Sequence, residues 1–236
     1  MAEILTAVIL AGGRGERLQP YTGDKPKAMV PVAGRPILFH QLSWLRACGV
    51  GRVILACGYR HDVIEAAVGD GSAWGLDVLL SVERTELGRG GALKLALSSS
   101  PPCQTFVALN GDLITDLDLR ALLREHHRAN VLVTIATAPF RSAHGIVLTD
   151  RGRITGFEEK PVLPYWISAG IYAMSPEIVD RLPDVGDHED GLFPELAHRS
   201  QLGCFPVTGR WHSIDTIKDV GEVGVSLGAE ASVLSL

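Results

Sequence analysis

Two neighbouring stretches near the amino terminus are the most informative part of this chain: LAGGRGERL at residues 10–18 and DKPKAMVP at residues 24–31. They follow the apolar run at residues 4–10, which predicts a fully buried strand. A glycine-rich loop therefore leaves the carboxyl end of a strand, where an open α/β sheet binds nucleotides. Glycines let backbone N–H groups approach phosphate oxygens, and Arg17 and Lys27 add positive charge. The pattern predicts a polyphosphate-binding loop.

Counting residues disfavours two familiar nucleotide-binding loops. A dinucleotide fingerprint G-x-G-x-x-G beginning at Gly13 would need glycine where Leu18 stands, and no acidic residue ends a following strand at the expected distance. A P-loop beginning at Gly12 would need Gly-Lys-Ser/Thr where the chain has Arg17-Leu18-Gln19. The sequence therefore predicts neither a dehydrogenase nor a Walker-type ATPase.

Composition and charge limit the class of protein. The chain has 236 residues, of which 46% are hydrophobic, enough to bury the core of one α/β domain. Its net charge of −5 at pH 7 disfavours a nucleic-acid partner, because such proteins present a basic face. No apolar run has the length of a membrane span, and the amino terminus has no signal-peptide pattern. We therefore expect a cytoplasmic protein with neither nucleic-acid nor membrane partners.

Short apolar strands alternate with helical segments along the chain. This alternation predicts a single-domain, doubly wound α/β fold with a mostly parallel sheet and helices on both faces. Strands are predicted at residues 4–10, 52–56, 77–81, 105–109 and 131–137, and hairpin strands at 145–148 and 153–157. Helices are predicted after Pro36 and at residues 62–68, 90–97 and 117–128, with Asp62 and Asp116 as candidate caps. His126 and His127 fall on the last of these helices, which is expected to be exposed, and we expect the histidines of the chain to have solvated or packing roles.

The motifs resemble those of the sugar-1-phosphate nucleotidyltransferases. Their opening signature, L-A-G-G-x-G-x-R-L followed by K-P-K-x-x-x-P, is matched from Leu10 to Pro31. Later blocks extend the resemblance to about residue 222: LGRGGAL at 87–93, NGD at 110–112, FEEKP at 157–161, SAGIY at 168–172 and WHSIDT at 211–216. The resemblance implies a Rossmann-like, GT-A-like nucleotidyltransferase domain over residues 1–236. Its nucleotide-binding half would cover about 1–115 and its sugar-binding half about 116–222, followed by a short C-terminal tail.

The implied reaction transfers a nucleoside monophosphate from a nucleoside triphosphate to a sugar 1-phosphate, giving an NDP-sugar and pyrophosphate. A phosphate monoester has a second pKa of about 6, so its oxygen is already an ionised nucleophile at neutral pH. The chemistry then depends on positioning and charge neutralisation. The resemblance implies that Arg17 clamps the β- and γ-phosphates and Lys27 the α-phosphoryl oxygens. Other implied nucleotide contacts are Leu10, Ala11, Gly12, Gly13, Gly15, Glu83 and Gly88.

A metal site is expected where Asp112 follows the strand at 105–109, at the same sheet edge as the glycine-rich loop. Mg²⁺ prefers oxygen ligands and is usually shared between one or two carboxylates and substrate phosphates. In the family the later block usually reads W-x-D-I-G-T, whereas this chain has Ser213 at the carboxylate position and Asp215 at the glycine position. Either Asp215 supplies the second ligand, or Asp112 suffices with phosphate and water. We expect Asp215.

The resemblance implies that the sugar contacts Asn110, Gly145, Glu158, Lys160, Ser168 and Gly170, with Lys160 at the sugar phosphate. Arg89 and Gly90 stand where the family often has Thr-Ala, so the identity of the nucleobase is left open. Ser168 stands where asparagine is common, so the identity of the sugar is also left open. Among family members without a second domain, the chain most resembles the heptose- and mannose-1-phosphate guanylyltransferases. This resemblance favours GTP as the nucleotide and D-glycero-D-manno-heptose 1-phosphate or mannose 1-phosphate as the acceptor. Thymidylyl or uridylyl transfer to another sugar or amino sugar is the alternative. A homo-oligomer is also left open.

A hypothesis of another class is a catalytically silent regulatory subunit that binds nucleotide sugars. Arg17, Lys27 and Asp112 are all present, and a silent relative has no chemical need for them. Their presence favours the enzyme.

Overall fold

A computed structural model of the chain describes residues 4–101 and 103–233. The strands are β1 Thr6–Leu10, β2 Pro31–Val32, β3 Arg35–Pro36, β4 Arg52–Cys57, β5 Asp77–Val82, β6 Phe106–Asn110, β7 Leu113–Thr115, β8 Val133–Arg141, β9 Ile146–Asp150, β10 Arg153–Glu158, β11 Val162–Met174, β12 Leu202–Pro206 and β13 Trp211–Ser213. The α-helices are α1 Ile37–Ala47, α2 His61–Val68, α3 Gly88–Ser98, α4 Leu119–Ala129, α5 Leu192–His198 and α6 Ile217–Val233. Short 3₁₀ helices cover Glu16–Leu18, Lys27–Met29, Ser72–Trp74 and Pro176–Arg181.

Seven strands form the main sheet in the order β12-β8-β11-β6-β1-β4-β5. Parallel pairs join β1 to β4 and β6, β4 to β5, and β8 to β12, while β11 runs antiparallel to β6 and β8. Leu10 at the end of β1 pairs with Ala56 on one side and Asn110 on the other. This register places the glycine-rich loop beside the Asn110-Gly111-Asp112 turn, and it confirms the predicted fold class.

Helices cover both faces of the sheet, as predicted. Successive residues of β1 alternate between the faces, so Ala7 and Ile9 pack in one hydrophobic cluster and Val8 packs in the other. The first cluster receives apolar residues from α1, α2 and α4, including Leu38, Leu42, Leu45, Ile64 and Leu122. The second receives Leu93, Leu97, Phe193 and Leu196 from α3 and α5. The two layers hold the carboxyl ends of the central strands at one edge.

The two predicted helix caps were wrong. Helix α2 begins at His61 after Arg60, which adopts a left-handed conformation, and Asp62 lies inside the first turn. Helix α4 begins at Leu119, and the side chain of Asp118 caps it by accepting a hydrogen bond of 3.0 Å from the N–H of Ala121. Asp116 instead accepts a hydrogen bond from the backbone N–H of Arg210. The carboxylate of Asp116 is therefore used to join two loops, and Asp118 caps the helix.

The expectation of an exposed helix was also wrong at His126, which has a packing role. His126 is 2% exposed, and its ring nitrogens lie 3.0 Å from Thr134 Oγ1 and 3.1 Å from Ser175 Oγ. Burial, and secondarily the neighbouring His127, lowers the pKa of His126 to about 4. The imidazole is therefore neutral at physiological pH and ties α4 to the sheet.

Residues 217–233 form helix α6, which extends from the end of the predicted sugar-binding half into the C-terminal tail. Val220, Val223 and Leu227 of this helix pack in a third cluster that includes Leu18 and Ile214. The amino-terminal loop and the WHSIDT block are thereby joined on one side of the molecule. Among the helices that the structure describes, none is both long and apolar enough to cross a bilayer.

Candidate active site

A cavity of about 400 Å³ opens at the carboxyl edge of the central strands. Its walls come from the glycine-rich loop, the Asn-Gly-Asp turn, the start of α3 and one later loop. The lining includes nine of the residues expected at the site: Leu10, Ala11, Gly12, Gly13, Lys27, Glu83, Gly88, Asn110 and Asp112. The cavity is therefore the place where the predicted nucleotide-side residues meet.

The glycine-rich loop is shaped by close packing against Glu83. A Cβ added to Gly12 would lie 3.1 Å from Oε1 of Glu83, and one added to Gly58 would lie 2.7 Å from the same atom. The other carboxylate oxygen of Glu83 accepts a hydrogen bond of 3.1 Å from the N–H of Leu87. Glu83 is thus held between the strand ends and the start of α3. Gly15 lies outside the cavity lining, where its φ of +67° turns the chain into the first 3₁₀ helix.

Four charged side chains converge next to this loop. Nζ of Lys27 lies 2.6 Å from Oδ2 of Asp112 and 2.9 Å from Oδ1 of Asp215. A guanidinium nitrogen of Arg17 lies 2.8 Å from that same Asp215 oxygen. The structure therefore brings together both predicted catalytic cations and both predicted metal ligands, although they lie in three separate parts of the sequence.

Strand pairing explains how Asp215 reaches this cluster. Strand β13 runs antiparallel to β7, with Ser213 opposite Leu113, and the N–H of Ile214 donates a hydrogen bond of 2.8 Å to the carbonyl of Asp112. The two aspartates consequently lie on adjacent backbone segments. Ser213 itself donates a hydrogen bond of 2.8 Å to Oδ2 of Asp215.

Asp219 is a residue of this region that the sequence analysis missed. Its Oδ2 accepts hydrogen bonds from the N–H groups of Asp215, at 2.9 Å, and Thr216, at 2.7 Å. The hydroxyl of Thr216 accepts one from the N–H of Asp219 in return. This is a capping box, and its T-x-x-D pattern could have been recognised in the sequence. It fixes the backbone of Asp215 at the entry to α6.

The electrostatic environment keeps Asp215 ionised. Partial burial opposes ionisation, but the hydrogen bonds from Lys27 and Ser213 outweigh it and lower the pKa of Asp215 below its ordinary value. Within the described residues no group of three or more His, Cys, Asp or Glu side chains could hold a metal ion by itself. Two adjacent carboxylates match a hard divalent cation that completes its shell with phosphate and water. The residues present therefore fit such a cation.

On the sugar side, the structure places Gly170 against Asn110. Gly170 has a φ of +69°, and a Cβ there would lie 2.6 Å from Nδ2 of Asn110. Ser168 Oγ accepts a hydrogen bond of 3.2 Å from the N–H of Gly170 and lies 3.3 Å from the hydroxyl of Tyr172. Oδ1 of Asn110 is buried and has no hydrogen-bond partner among the described residues. Three predicted sugar-side residues therefore adjoin one another, and Asn110 is the one of them that lines the cavity.

Three other predicted sugar-side residues lie on or beside the β9–β10 hairpin, outside the cavity lining that the structure describes. Gly145 packs against Phe157, whose ring would lie 2.5 Å from an added Cβ. Glu158 is exposed, and Nζ of Lys160 lies 4.0 Å from its neighbour Glu159. The contacts of this hairpin with substrate stay a prediction.

Arg89 and Asp187 also line the cavity, and the sequence analysis gave neither a role. Nη2 of Arg89 lies 2.6 Å from Oδ2 of Asp187, and the Arg89 side chain, by its hydrogen bond, lowers the pKa of Asp187. The sequence shows that Arg89 stands where the family commonly has threonine. It does not show that Arg89 pairs with Asp187, which lies 98 residues later.

Comparisons with known proteins identify the family. The nucleotidyl transferase family matches residues 6–225. Over 225 residues the chain is 36% identical to the mannose-1-phosphate guanylyltransferase catalytic subunit beta of Drosophila pseudoobscura pseudoobscura, covering 90% of this chain and 60% of that protein. It is 39% identical over 197 residues to the mannose-1-phosphate guanylyltransferase of Mycobacterium tuberculosis, covering 80% of this chain and 55% of that protein. The chain thus spans about 60% of the length of these curated relatives.

Solved structures agree with this assignment. HddC from Yersinia pseudotuberculosis superposes with a TM-score of 0.76 at 26% identity, covering 95% of this chain and 100% of that one. Its complex with GMP-PN gives a TM-score of 0.75 at 25% identity, with the same coverage. A putative glucose-1-phosphate thymidylyltransferase from Bacillus anthracis, 21% identical, shares the fold with a TM-score of 0.76 over 94% of each chain. The resemblance drawn from the motifs is confirmed, and the chain belongs to the nucleotidyl transferase family.

Proposed function

We propose that this protein transfers a nucleoside monophosphate from a nucleoside triphosphate to a sugar 1-phosphate, forming an NDP-sugar and pyrophosphate. The observation that carries the proposal is the convergence of Arg17, Lys27, Asp112 and Asp215 beside a glycine-rich loop. Binding alone does not require two cations and two carboxylates within hydrogen-bond distance of one another. Transfer of a phosphoryl group between anions does, because charge accumulates in its transition state.

The reaction needs no general base from the protein. An oxygen of the sugar phosphate, already ionised at neutral pH, forms a bond to the α-phosphorus while the bond from the α-phosphorus to the bridging oxygen of pyrophosphate breaks. We propose that Lys27 donates to the α-phosphoryl oxygens and Arg17 to the departing pyrophosphate. Both side chains are oriented by ion pairs with carboxylates beside the glycine-rich loop, which preorganises their positive charges.

Sugar nucleotidyltransferases generally use a divalent cation, and we propose that it is Mg²⁺ here. Asp112 and Asp215 would hold it, since their ligand atoms are carboxylate oxygens on adjacent segments. When bound, the ion would offset the negative charge of the phosphates.

Guanosine is the favoured nucleoside. The relatives from Drosophila and Mycobacterium are named guanylyltransferases, and HddC has been crystallised with GMP-PN. Glu83, at the wall formed by Gly12 and the start of α3, offers carboxylate oxygens to a base edge that carries N–H donors, as guanine does. Mannose 1-phosphate or D-glycero-D-manno-heptose 1-phosphate is the favoured acceptor. We also propose a cytoplasmic location, on the sequence grounds given above.

A pyrophosphate-release assay tests the proposal. Purified protein with Mg²⁺ would be supplied with ATP, GTP, CTP, UTP or dTTP, each paired with mannose, heptose, glucose and amino-sugar 1-phosphates. We expect release with GTP and a manno-configured sugar 1-phosphate, and none from the Asp112→Asn variant. Release with UTP or dTTP alone would show that the enzyme uses uracil or thymine nucleotides and that the proposed guanine is wrong. Absence of release from every pair, together with nucleotide-sugar binding, would support the silent subunit instead.

A further inference from the structure

A loop at residues 183–190 is docked onto the start of helix α3. The carbonyl of Gly186 accepts a hydrogen bond of 2.9 Å from the N–H of Gly90, and the N–H of Gly186 donates one of 2.7 Å to the carbonyl of Leu87. A Cβ on Gly88 would lie 2.7 Å from the carbonyl carbon of Gly186. The glycines at the start of α3 therefore serve to let this loop approach, and the loop forms part of the cavity wall.

The docked loop fixes the side chain of Arg89. Nε and Nη2 of Arg89 donate to Oδ2 of Asp187 at 3.1 and 2.6 Å, and Nη1 forms an ion pair with Glu189. These contacts engage three of the five N–H groups of a guanidinium, leaving two without a partner among the described residues. The Arg89 side chain is 42% exposed and lines the cavity. Two donors of a cavity-lining side chain therefore remain for a ligand.

A chain of hydrogen bonds connects this group to the sugar side of the cavity. The hydroxyl of Tyr172 donates a hydrogen bond of 2.7 Å to Oε1 of Glu189 and lies 3.3 Å from Ser168 Oγ. Ser168 bonds the N–H of Gly170, which packs against Asn110. The Arg89 group is thus linked through buried and part-buried contacts to Asn110, which lines the cavity with Arg89 and Asp187.

The charges of the group indicate the chemistry that it recognises. Arg89 contributes one positive charge and Asp187 and Glu189 one negative charge each, so the group carries one net negative charge. An anion such as phosphate gains little there. A hydroxyl, however, can accept from an arginine N–H and donate to a carboxylate at the same time.

We propose that Arg89, oriented by Asp187 and Glu189, selects the sugar of the sugar 1-phosphate by hydrogen-bonding one of its ring hydroxyls. This proposal rests on the proposed function. It implies that the protein favours a fully hydroxylated sugar over one that is deoxygenated or acetamido-substituted at the recognised position.

Arg89→Ala tests the proposal when wild type and variant are each assayed with the parent sugar and with analogues that lack one hydroxyl. The sugar 1-phosphate with the highest kcat/KM in the panel above would be compared with its singly deoxygenated analogues, using wild type and variant. We expect kcat/KM for the parent sugar to fall by about tenfold or more in Arg89→Ala, as for a lost hydrogen bond to a charged group. For one deoxygenated analogue, wild type and variant should differ by less than about twofold, since that analogue already lacks the partner. The KM for the nucleoside triphosphate should stay unchanged.

Lys94→Ala is the matched control. Nζ of Lys94 lies 2.7 Å from Asp184, so this variant also removes an ion pair between α3 and the docked loop, but outside the cavity. It should retain wild-type selectivity. Arg89→Lys, which keeps the charge and loses the planar fork, should show the same loss of selectivity as Arg89→Ala and serves if alanine impairs folding.

Equal losses for the parent sugar and all analogues would overturn the proposal, as would equal effects of Arg89→Ala and Lys94→Ala. A rise in the KM of the nucleoside triphosphate alone would assign Arg89 to the nucleotide and would also overturn it. A wild-type protein that releases no pyrophosphate from any pair would overturn the proposed function and this proposal together.

Discussion

The hydroxyl of Ser213 donates a hydrogen bond of 2.8 Å to Oδ2 of Asp215. The other oxygen of that carboxylate accepts from Arg17 and Lys27. In the family pattern the carboxylate stands at the position that Ser213 occupies here. The serine therefore orients the carboxylate of Asp215, and we expect the two side chains to contribute unequally to cation binding.

We predict that Asp215→Ala raises the Mg²⁺ concentration for half-maximal rate more than Ser213→Ala does. Loss of Asp215 removes a charged ligand, whereas loss of Ser213 removes only a group that orients it. The shift should exceed about tenfold for Asp215→Ala and stay below about tenfold for Ser213→Ala. Mg²⁺ titrations of pyrophosphate release measure both. Asp150→Ala, which removes an exposed carboxylate at the end of β9, is the control. A wild-type titration curve for Asp215→Ala would leave Asp112 as the only protein ligand.

Lys27→Ala should reduce turnover by on the order of a hundredfold or more, as when one preorganised donor is removed from a transition state. Lys27 lies between Asp112 and Asp215, and its side chain is only 14% exposed. Lys25→Ala is a close control, because Lys25 precedes Lys27 by two residues and pairs only with the adjacent Asp24 among the described residues. Turnover is measured together with the melting temperature. Undiminished turnover in folded Lys27→Ala protein would remove this lysine from the phosphate clamp.

The central part of the fold was predictable because its signals are local. An apolar run followed by glycines marks β1 and its loop, and Asp112 directly follows the next central strand, so the parallel register alone brings the two turns together. The cap of α4 was mistaken because Asp116 and Asp118 both precede the helix, and only the tertiary contact with Arg210 separates their roles.

The burial of His126 and the Arg89–Asp187 pair were both missed, for different reasons. The first follows a residue spacing that the sequence shows, whereas the second is a contact between residues far apart in the chain. Leu119, Leu122 and His126 are all buried in α4 and follow helical spacing, which would have predicted a buried histidine. Asp187, by contrast, meets Arg89 only after the chain has crossed the sheet several times. No local pattern marks such a pair.

The buried His126 predicts a pH dependence of stability. Its pKa is about 4 in the folded protein and about 6.5 in an unfolded chain. Between these values the unfolded state binds a proton that the folded state excludes, so the free energy of unfolding falls as pH decreases from about 6.5 towards about 4. The contribution of His126 to this loss is on the order of 3 kcal/mol.

Urea denaturation at about pH 7 and about pH 4.5 measures this loss. His126→Gln should lose less stability than wild type over that interval, because the titrating group is gone. His127→Gln, which alters the exposed neighbour, should lose nearly as much as wild type, because burial is the larger cause of the lowered pKa of His126. Equal pH dependence in wild type and His126→Gln would show that the buried imidazole is not the source.

The final prediction is that the double variant Ser213→Asp with Asp215→Gly restores activity lost in Asp215→Gly alone. Ser213 pairs with Leu113 across the β13–β7 ladder, one residue from Asp112, so a carboxylate at 213 would lie beside the proposed metal ligand. The double variant also rebuilds the pattern common in the family. We expect pyrophosphate release within about tenfold of wild type and a similar Mg²⁺ requirement, since one oxygen-ligand charge replaces another. If the double variant folds but stays as slow as Asp215→Gly, the contacts of Asp215 with Arg17 and Lys27 are its essential contribution, and the position of the carboxylate in this chain cannot be exchanged.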